Sequence, residues 1–225
     1  MSATGGVAGG GAGTGYASIF VQEDVSTAEV DRLEAVHAPL ADSVRDLVAA
    51  TIQTCVDEDE VREVRAEVDA LVARLRARRI DGPAGVRYNA EGRSWSWGNA
   101  VVGERNAVAP PLDVVRDPDD LVHAETVLGV QYEGPPGMVH GGVGALLLDH
   151  VMGVAASARK RVTFTGTLTM RYVRATPLGP VRIEARVDRE EGRKVFVVAT
   201  LADPDGVTVE AHGVFIVPSW AVTDA

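Results

Sequence analysis

In the stretch MVHGGVGALLLDHVMG, Met138 to Gly153, a histidine and two adjacent glycines lead into an apolar run that a single carboxylate, Asp149, interrupts. The start of a helix leaves backbone N–H groups without partners and carries the positive end of the helix dipole. With no side chain at Gly141 or Gly142, a ligand oxygen can come up to those groups, as in sites that stabilise a developing oxyanion. If the helix begins near Gly142 and turns by about 100° per residue, Gly142, Ala145, Leu146, Asp149 and Gly153 share one side, and Leu147, Val151 and Val154 another. The second side reads as core. On the first, small residues leave space into which one acid looks, and an acid that stays ionised and unpaired among apolar neighbours is costly. Asp149 therefore has either a chemical task or a structural partner on a neighbouring strand. His140 reads as a group that orients the turn, either assisting catalysis or simply bonded to backbone.

Other chemistries lack their parts. The chain has no GxSxG and no HExxH, and His123, His140, His150 and His212 show no ligand spacing, so no metal and no cofactor are expected. The single cysteine, Cys55, excludes an intrachain disulfide and a zinc framework of paired cysteines, and reads as a core thiol on a helix. Net charge is −10 and no basic block grips a phosphate backbone, which argues against nucleic acid. No apolar run approaches the ~20 residues of a membrane helix, and the N-terminus lacks the pattern of a signal peptide, so no membrane partner and a cytoplasmic location are expected. With 46% hydrophobic and 24% charged residues, the chain has the composition of a globular protein with a real core.

The elements that must position these residues fall into three stretches. Residues 1–17 are glycine and small residues without periodicity, match no phosphate-loop motif, and are expected to form a flexible tail. Residues 18–80 read as a helical extension. Its pattern turns helical from Thr27, with Leu40, Val44, Leu47, Val48 and Ile52 following Pro39, which suits a first helical turn. A second helix opens with Asp57 to Glu60, carries the stripe Val61, Val64, Val68, Leu71 and Leu75, and closes among Arg74, Arg76, Arg78 and Arg79, opposing the helix dipole at both ends. The two are expected to form an antiparallel hairpin packed on the main domain, with a coiled-coil or subunit contact as the other reading. Residues 81–220 form that domain. Alternation through LVHAETVLGVQYEG suggests a long strand ending near Gly134, and the chain after Gly153 gives four strands split at Pro177 to Gly179, Glu190 to Gly192 and Asp203 to Gly206. The fold class is α+β, one central helix in an antiparallel sheet, with no βαβ alternation.

The sequence YEGPPGMVHGG, then Asp149 nine residues after His140, then TGTLTMRYVRATPLG, resembles the PaaI-type hotdog-fold acyl-CoA thioesterases, in particular the thioesterase-superfamily-member branch that shares EGPPG. The resemblance runs from about Leu121 to Val217. It implies a hotdog fold and hydrolysis of an acyl-CoA thioester. It also implies that the Gly141 N–H polarises the carbonyl, Asp149 activates water or attacks, and Thr165, seven residues before Tyr172, supports the water. Thr167, read as lying on the same strand face, is the reserve candidate, and His140 and Gly142 complete the turn. For the phosphates of coenzyme A, Arg159, Lys160, Arg161, Arg171 and Arg174 are the candidate partners. Hotdog hydratases pair an Asp with a His five residues later, and no such pair exists here. A non-catalytic acyl-CoA-binding module is the rival from another class, although pure binding gains nothing from a desolvated acid.

Helix geometry adds an expectation about assembly. Seven residues separate Gly142 from Asp149, about 10 Å along a helix axis, too far for one helix to hold both the carbonyl oxygen and the attacking water. A two-fold partner with its helix antiparallel can supply the missing group, so a homodimer or an assembly of dimers is expected.

Overall fold

The computed structural model describes residues 20–157 and 162–221. The segment 1–17 and the basic residues Arg159, Lys160 and Arg161 lie outside the described residues.

The N-terminal half begins with β1 (Phe20–Gln22), followed by α1 (Thr27–Gln53), α2 (Glu58–Arg76), β2 (Val86–Tyr88) and β3 (Ser94–Trp95). The strands form a small sheet in which β1 runs parallel to β2, a pairing that the two intervening helices make possible. Ser26 caps α1 by accepting from the Glu29 N–H at 3.2 Å. Pro39 lies inside this helix rather than in its first turn, and α1 runs unbroken through it. Only Val30, Ala41 and Arg45 of α1 are buried. Arg45 ties the helix to the domain by donating to the carbonyls of Ala109 at 2.8 Å and Asn106 at 3.1 Å, and the Trp97 indole N–H donates to Glu34 at 2.9 Å.

Here the structure departs from the expected hairpin. Asp57 caps α2 through the N–H groups of Asp59 and Glu60, yet no residue of α2 is buried, and α1 and α2 do not pack along each other. Cys55 sits exposed in the short link between them instead of in a core. The reason is physical: α2 meets neither its neighbour nor the sheet with its apolar stripe, so nothing among the described residues closes over the link.

The second half holds β4 (Val115–Arg116), β5 (Val122–Leu128), α3 (Gly141–Ala156), β6 (Phe164–Tyr172), β7 (Gly179–Glu191), β8 (Lys194–Asp203) and β9 (Gly206–Ile216). These strands make one antiparallel sheet in the order β4-β5-β7-β8-β9-β6, and α3 lies across one face, chiefly over β7 and β8. The period of two in the strands supplies that face with Val181, Ile183 and Ala185, Val195, Val197 and Leu201, and Val209, Ala211 and Phe215, all buried. From α3, Leu147, Leu148, Val151, Met152 and Ala155 fill the other side of the layer. Each fully buried Leu, Ile or Val is worth about 1.5–3 kcal/mol. Gly213 lets the layers close: a Cβ there would lie 2.6 Å from Phe215 and 2.8 Å from Met152. β5 stops at Leu128, short of Gly134, because the chain turns into a one-turn 3-10 helix at Val130–Tyr132.

Candidate active site

The chain reaches α3 through a loop whose backbone is almost fully bonded. Gly134 N–H donates to the Met138 carbonyl at 2.9 Å, Val139 N–H to Thr176 at 2.8 Å, and His140 N–H to Tyr132 at 2.9 Å. Gly134 also passes so close behind the turn that a Cβ on it would meet the His140 Cα at 2.8 Å. The turn is therefore held from both sides, which fixes where the helix starts.

α3 begins at Gly141, with His140 as its cap: Nδ1 of the imidazole accepts from the Gly142 N–H at 3.0 Å. That nitrogen must carry no proton to accept, so the ring serves as an orienting group. Two consequences follow for the glycine pair. The Gly142 N–H, expected to face substrate, is already taken by His140. The Gly141 N–H has no acceptor among the described residues, and it stands where the dipole is most positive. Tyr172, near the end of β6, donates its hydroxyl to the Gly141 carbonyl at 3.0 Å and so holds the next peptide, Gly141–Gly142, whose N–H is the one His140 accepts. Tyr172 was not among the residues singled out from the sequence, and its only signal was its place in the strand motif. Gly141 and Tyr172 line a groove of about 300 Å³ together with Met138, His140, Gly144 and Thr176. At the other end of α3, Arg116 donates to the Val154 carbonyl at 2.7 Å, a cation placed against the negative end of the dipole.

Two turns further along, Asp149 accepts from the Thr165 hydroxyl through Oδ1 at 2.8 Å. Helix and strand thus meet where the sequence places an acid and a hydroxyl, and Asp149 keeps a second oxygen. The helix sides are as expected in outline: Gly142, Ala145, Leu146, Asp149 and Gly153 remain partly or fully accessible, while Leu147 and Val151 are buried. Gly144, Leu148, Met152 and Ala155 join the core, and Val154 stays half-exposed.

Thr167 does not share the face of Thr165. The register pairs Thr165 with Phe215 and Thr167 with Val214, so Gly166 is an extra residue in β6, a β-bulge. An inserted residue reverses the alternation. Thr165 faces Asp149, Leu168 and Met170 pack on the core, and Tyr172 reaches Gly141, which turns Thr167 and Arg171 to the opposite face. Arg171 pairs there with Glu210 at 3.3 Å. Arg174 is held by both oxygens of Asp203 and by the Gly206 carbonyl at 2.9 Å, and this pairing draws the Asp203 carboxyl below its usual range. Arg174 lines the groove at Gly141 while Arg171 does not, and in the protomer both guanidinium groups are engaged with carboxylates. No group of His, Cys, Asp and Glu able to hold a metal ion exists among the described residues, and none of the described helices is long and apolar enough to cross a membrane.

Comparison with known proteins bears on the same segment. Residues 136–210 match the family model described as Thioesterase superfamily. Acyl-coenzyme A thioesterase THEM4 of Xenopus laevis is 37% identical over 91 residues, which is 39% of this chain and 41% of that protein. The Mus musculus protein of the same name is 35% identical over 91 residues, 39% of each chain. The match therefore spans about two fifths of the curated relatives' length. A crystal structure of a thioesterase superfamily protein superposes with a TM-score of 0.72 at 28% identity, covering 87% of this chain and 93% of that one. The sheet wrapped on α3 is a hotdog fold, and residues 136–210 are similar to the thioesterase superfamily.

Proposed function

We propose that the chain hydrolyses acyl-CoA thioesters at a site shared between two copies. The observation that carries this reading is the Asp149–Thr165 pair at 2.8 Å, on the same helix as an unengaged Gly141 N–H but eight residues away from it. Eight residues are about 12 Å of helix, and a carbonyl carbon cannot lie within reach of both. A second copy related by a two-fold axis, its α3 antiparallel and alongside, brings Gly141 of one subunit opposite Asp149 and Thr165 of the other. Two features support this arrangement. β6 is an edge strand, and Phe164 on it and Leu146 on the accessible side of α3 are exposed apolar residues.

In this site the thioester carbonyl accepts from Gly141 N–H, and the adjoining Gly141–Gly142 peptide is held by Tyr172 and the His140 cap. Asp149, oriented by Thr165, takes a proton from water as its oxygen attacks the carbonyl carbon. The negative charge that develops on the carbonyl oxygen is held by the N–H at the helix terminus. Collapse breaks the C–S bond, and the departing sulfur takes a proton to leave CoA thiol and the free acid. The resemblance to THEM4 in the segment that holds both groups, and the PaaI-type order EGPPG, HGG, Asp149, support the thioester as substrate. A purely acyl-CoA-binding module would not need the acid.

Complementation tests it. Asp149→Asn removes the base at constant volume and should lower acyl-CoA hydrolysis by about 10²- to 10⁴-fold. Gly141→Val should also inactivate, since a Cβ on Gly141 would already lie 3.2 Å from the Tyr172 ring. Mixed and allowed to exchange subunits, the two dead variants should regain activity, because a mixed dimer has one intact site. Exchange without any recovery overturns the shared site, and an Asp149→Asn variant within a few-fold of wild type overturns the reaction.

A further inference from the structure

Among the described residues, no element covers the apolar stripe of α2. Val61, Val64, Leu71 and Leu75 are 47%, 39%, 52% and 58% exposed. With Val68 between them, the spacing is three, four, three, four, the unbroken a and d seam of a two-stranded coiled coil. Such a narrow seam fits a second helix rather than a sheet, because it covers a thin line of the surface instead of a broad face.

Charge says which helix and in which direction. The N-terminal end of α2 is acidic, with Asp57, Glu58, Asp59 and Glu60, and the C-terminal end is basic, with Arg74, Arg76, Arg78 and Arg79. Glu58 and Asp59 share Arg62, and Arg65 approaches Asp69, whereas Arg74, Arg76, Arg78 and Arg79 have no acidic partner among the described residues. A parallel pairing of two copies would set acid against acid and base against base. Antiparallel pairing sets each acidic end against a basic end while closing the same seam. We propose that α2 is an interaction surface for α2 of a second copy, paired antiparallel through Val61, Val64, Val68, Leu71 and Leu75. This rests on nothing in the thioesterase reading and stands or falls apart from it.

The chain carries its own reporter. Cys55 is its single cysteine, exposed and three residues before α2. In an antiparallel pair the two Cys55 thiols lie at opposite ends of a helix of 19 residues, about 28 Å long. In a parallel pair they would be neighbours. The full-length protein at low micromolar concentration is treated with a short bis-maleimide, first as wild type and then as Arg78→Cys, which puts a second thiol at the far end of the helix. The expected result is no covalent dimer from wild type and a strong one from Arg78→Cys. That dimer should be lost when Cys55→Ser removes the first thiol, and lost again when Val64→Glu and Leu71→Glu break the seam. The seam substitutions bury nothing in the protomer, so circular dichroism should show the fold intact. A wild-type cross-link would establish the parallel arrangement and overturn the proposal. So would an Arg78→Cys dimer no stronger than wild type, as expected if α2 folds onto its own chain, or one insensitive to the seam substitutions.

Discussion

Helix α3 buries Gly144, Leu147, Leu148, Val151, Met152, Ala155 and Ala156, whereas α2 buries nothing, although both carry apolar residues three and four apart. The width of the stripe separates them. On α3 two adjacent rows are apolar, which makes a face broad enough to lie across several strands, and small residues at Gly144 and Ala155 let it approach closely. On α2 a single row is flanked by Glu60, Glu67 and Arg74, and charged flanks cannot be laid on a sheet without leaving ions in apolar surroundings. Periodicity therefore announces that a helix exists, and the breadth of its apolar face announces what kind of surface covers it. The two helices also differ in what their ends do. α2 places charged side chains against its dipole, whereas α3 leaves its first N–H bare, capped only through His140 and Gly142. The proposed site would use that open donor.

The sharpest way to break the comparison is to truncate one leucine from each helix. Leu147→Ala should cost about 2–5 kcal/mol, the usual range for a fully buried leucine. Leu71→Ala should leave the sheet domain within about 0.5 kcal/mol of wild type, as for an exposed position. Hydrogen exchange of the amides of β7 and β8 reads both on the same strands. Equal loss of protection in the two variants would mean that α2 does cover the domain.

A smaller effect tests the two faces of β6. Thr165→Ala removes a hydrogen bond to Asp149 worth about 1–1.5 kcal/mol, so hydrolysis should fall by roughly tenfold. Thr167→Ala, on the opposite face, should change it less than about twofold. The reverse ranking would mean that the bulge at Gly166 is not maintained in solution. This pair also marks how far the sequence could be read. One central helix in an antiparallel sheet was legible because periodicity tells helix from strand, whereas the approach of Asp149 to Thr165 was expected only from the resemblance to the hotdog thioesterases, and the order of the strands was not read at all. The bulge was not legible, because alternation counted along one strand cannot reveal an extra residue that only the register with β9 defines. The bond from Arg174 to Asp203 was not legible because the two lie 29 residues apart. Cys55 looked like a core thiol because free cysteines usually are, and nothing local says that α2 turns away from the domain. Tyr172 could have been found by asking what holds the peptide of Gly141, a question that arises only once the helix start is fixed.

The smallest effect concerns pH and a histidine of α3. His150 follows Asp149 on the helix and is half-buried. Burial holds its pKa below the ordinary histidine value, and the neighbouring Asp149 charge pulls it back upward by less. The imidazole is thus harder to protonate in the folded protein than in the unfolded chain, whose value is near 6.5. Above that value both states are neutral and His150 has no effect on the balance. As pH falls below it, the unfolded chain takes up the proton first, and stability is lost until the folded-state pKa has been passed. His37 on α1, also shifted downward by burial with a contribution from Arg105, slopes the same way, so the wild-type profile alone cannot assign the effect. Comparing wild type with His150→Gln does. Thermal unfolding between pH 7.5 and pH 5 should show the variant losing less stability than wild type, with His37 still contributing to both. Parallel curves would mean that the imidazole reaches solvent, and the side of α3 that carries His150 would then be open.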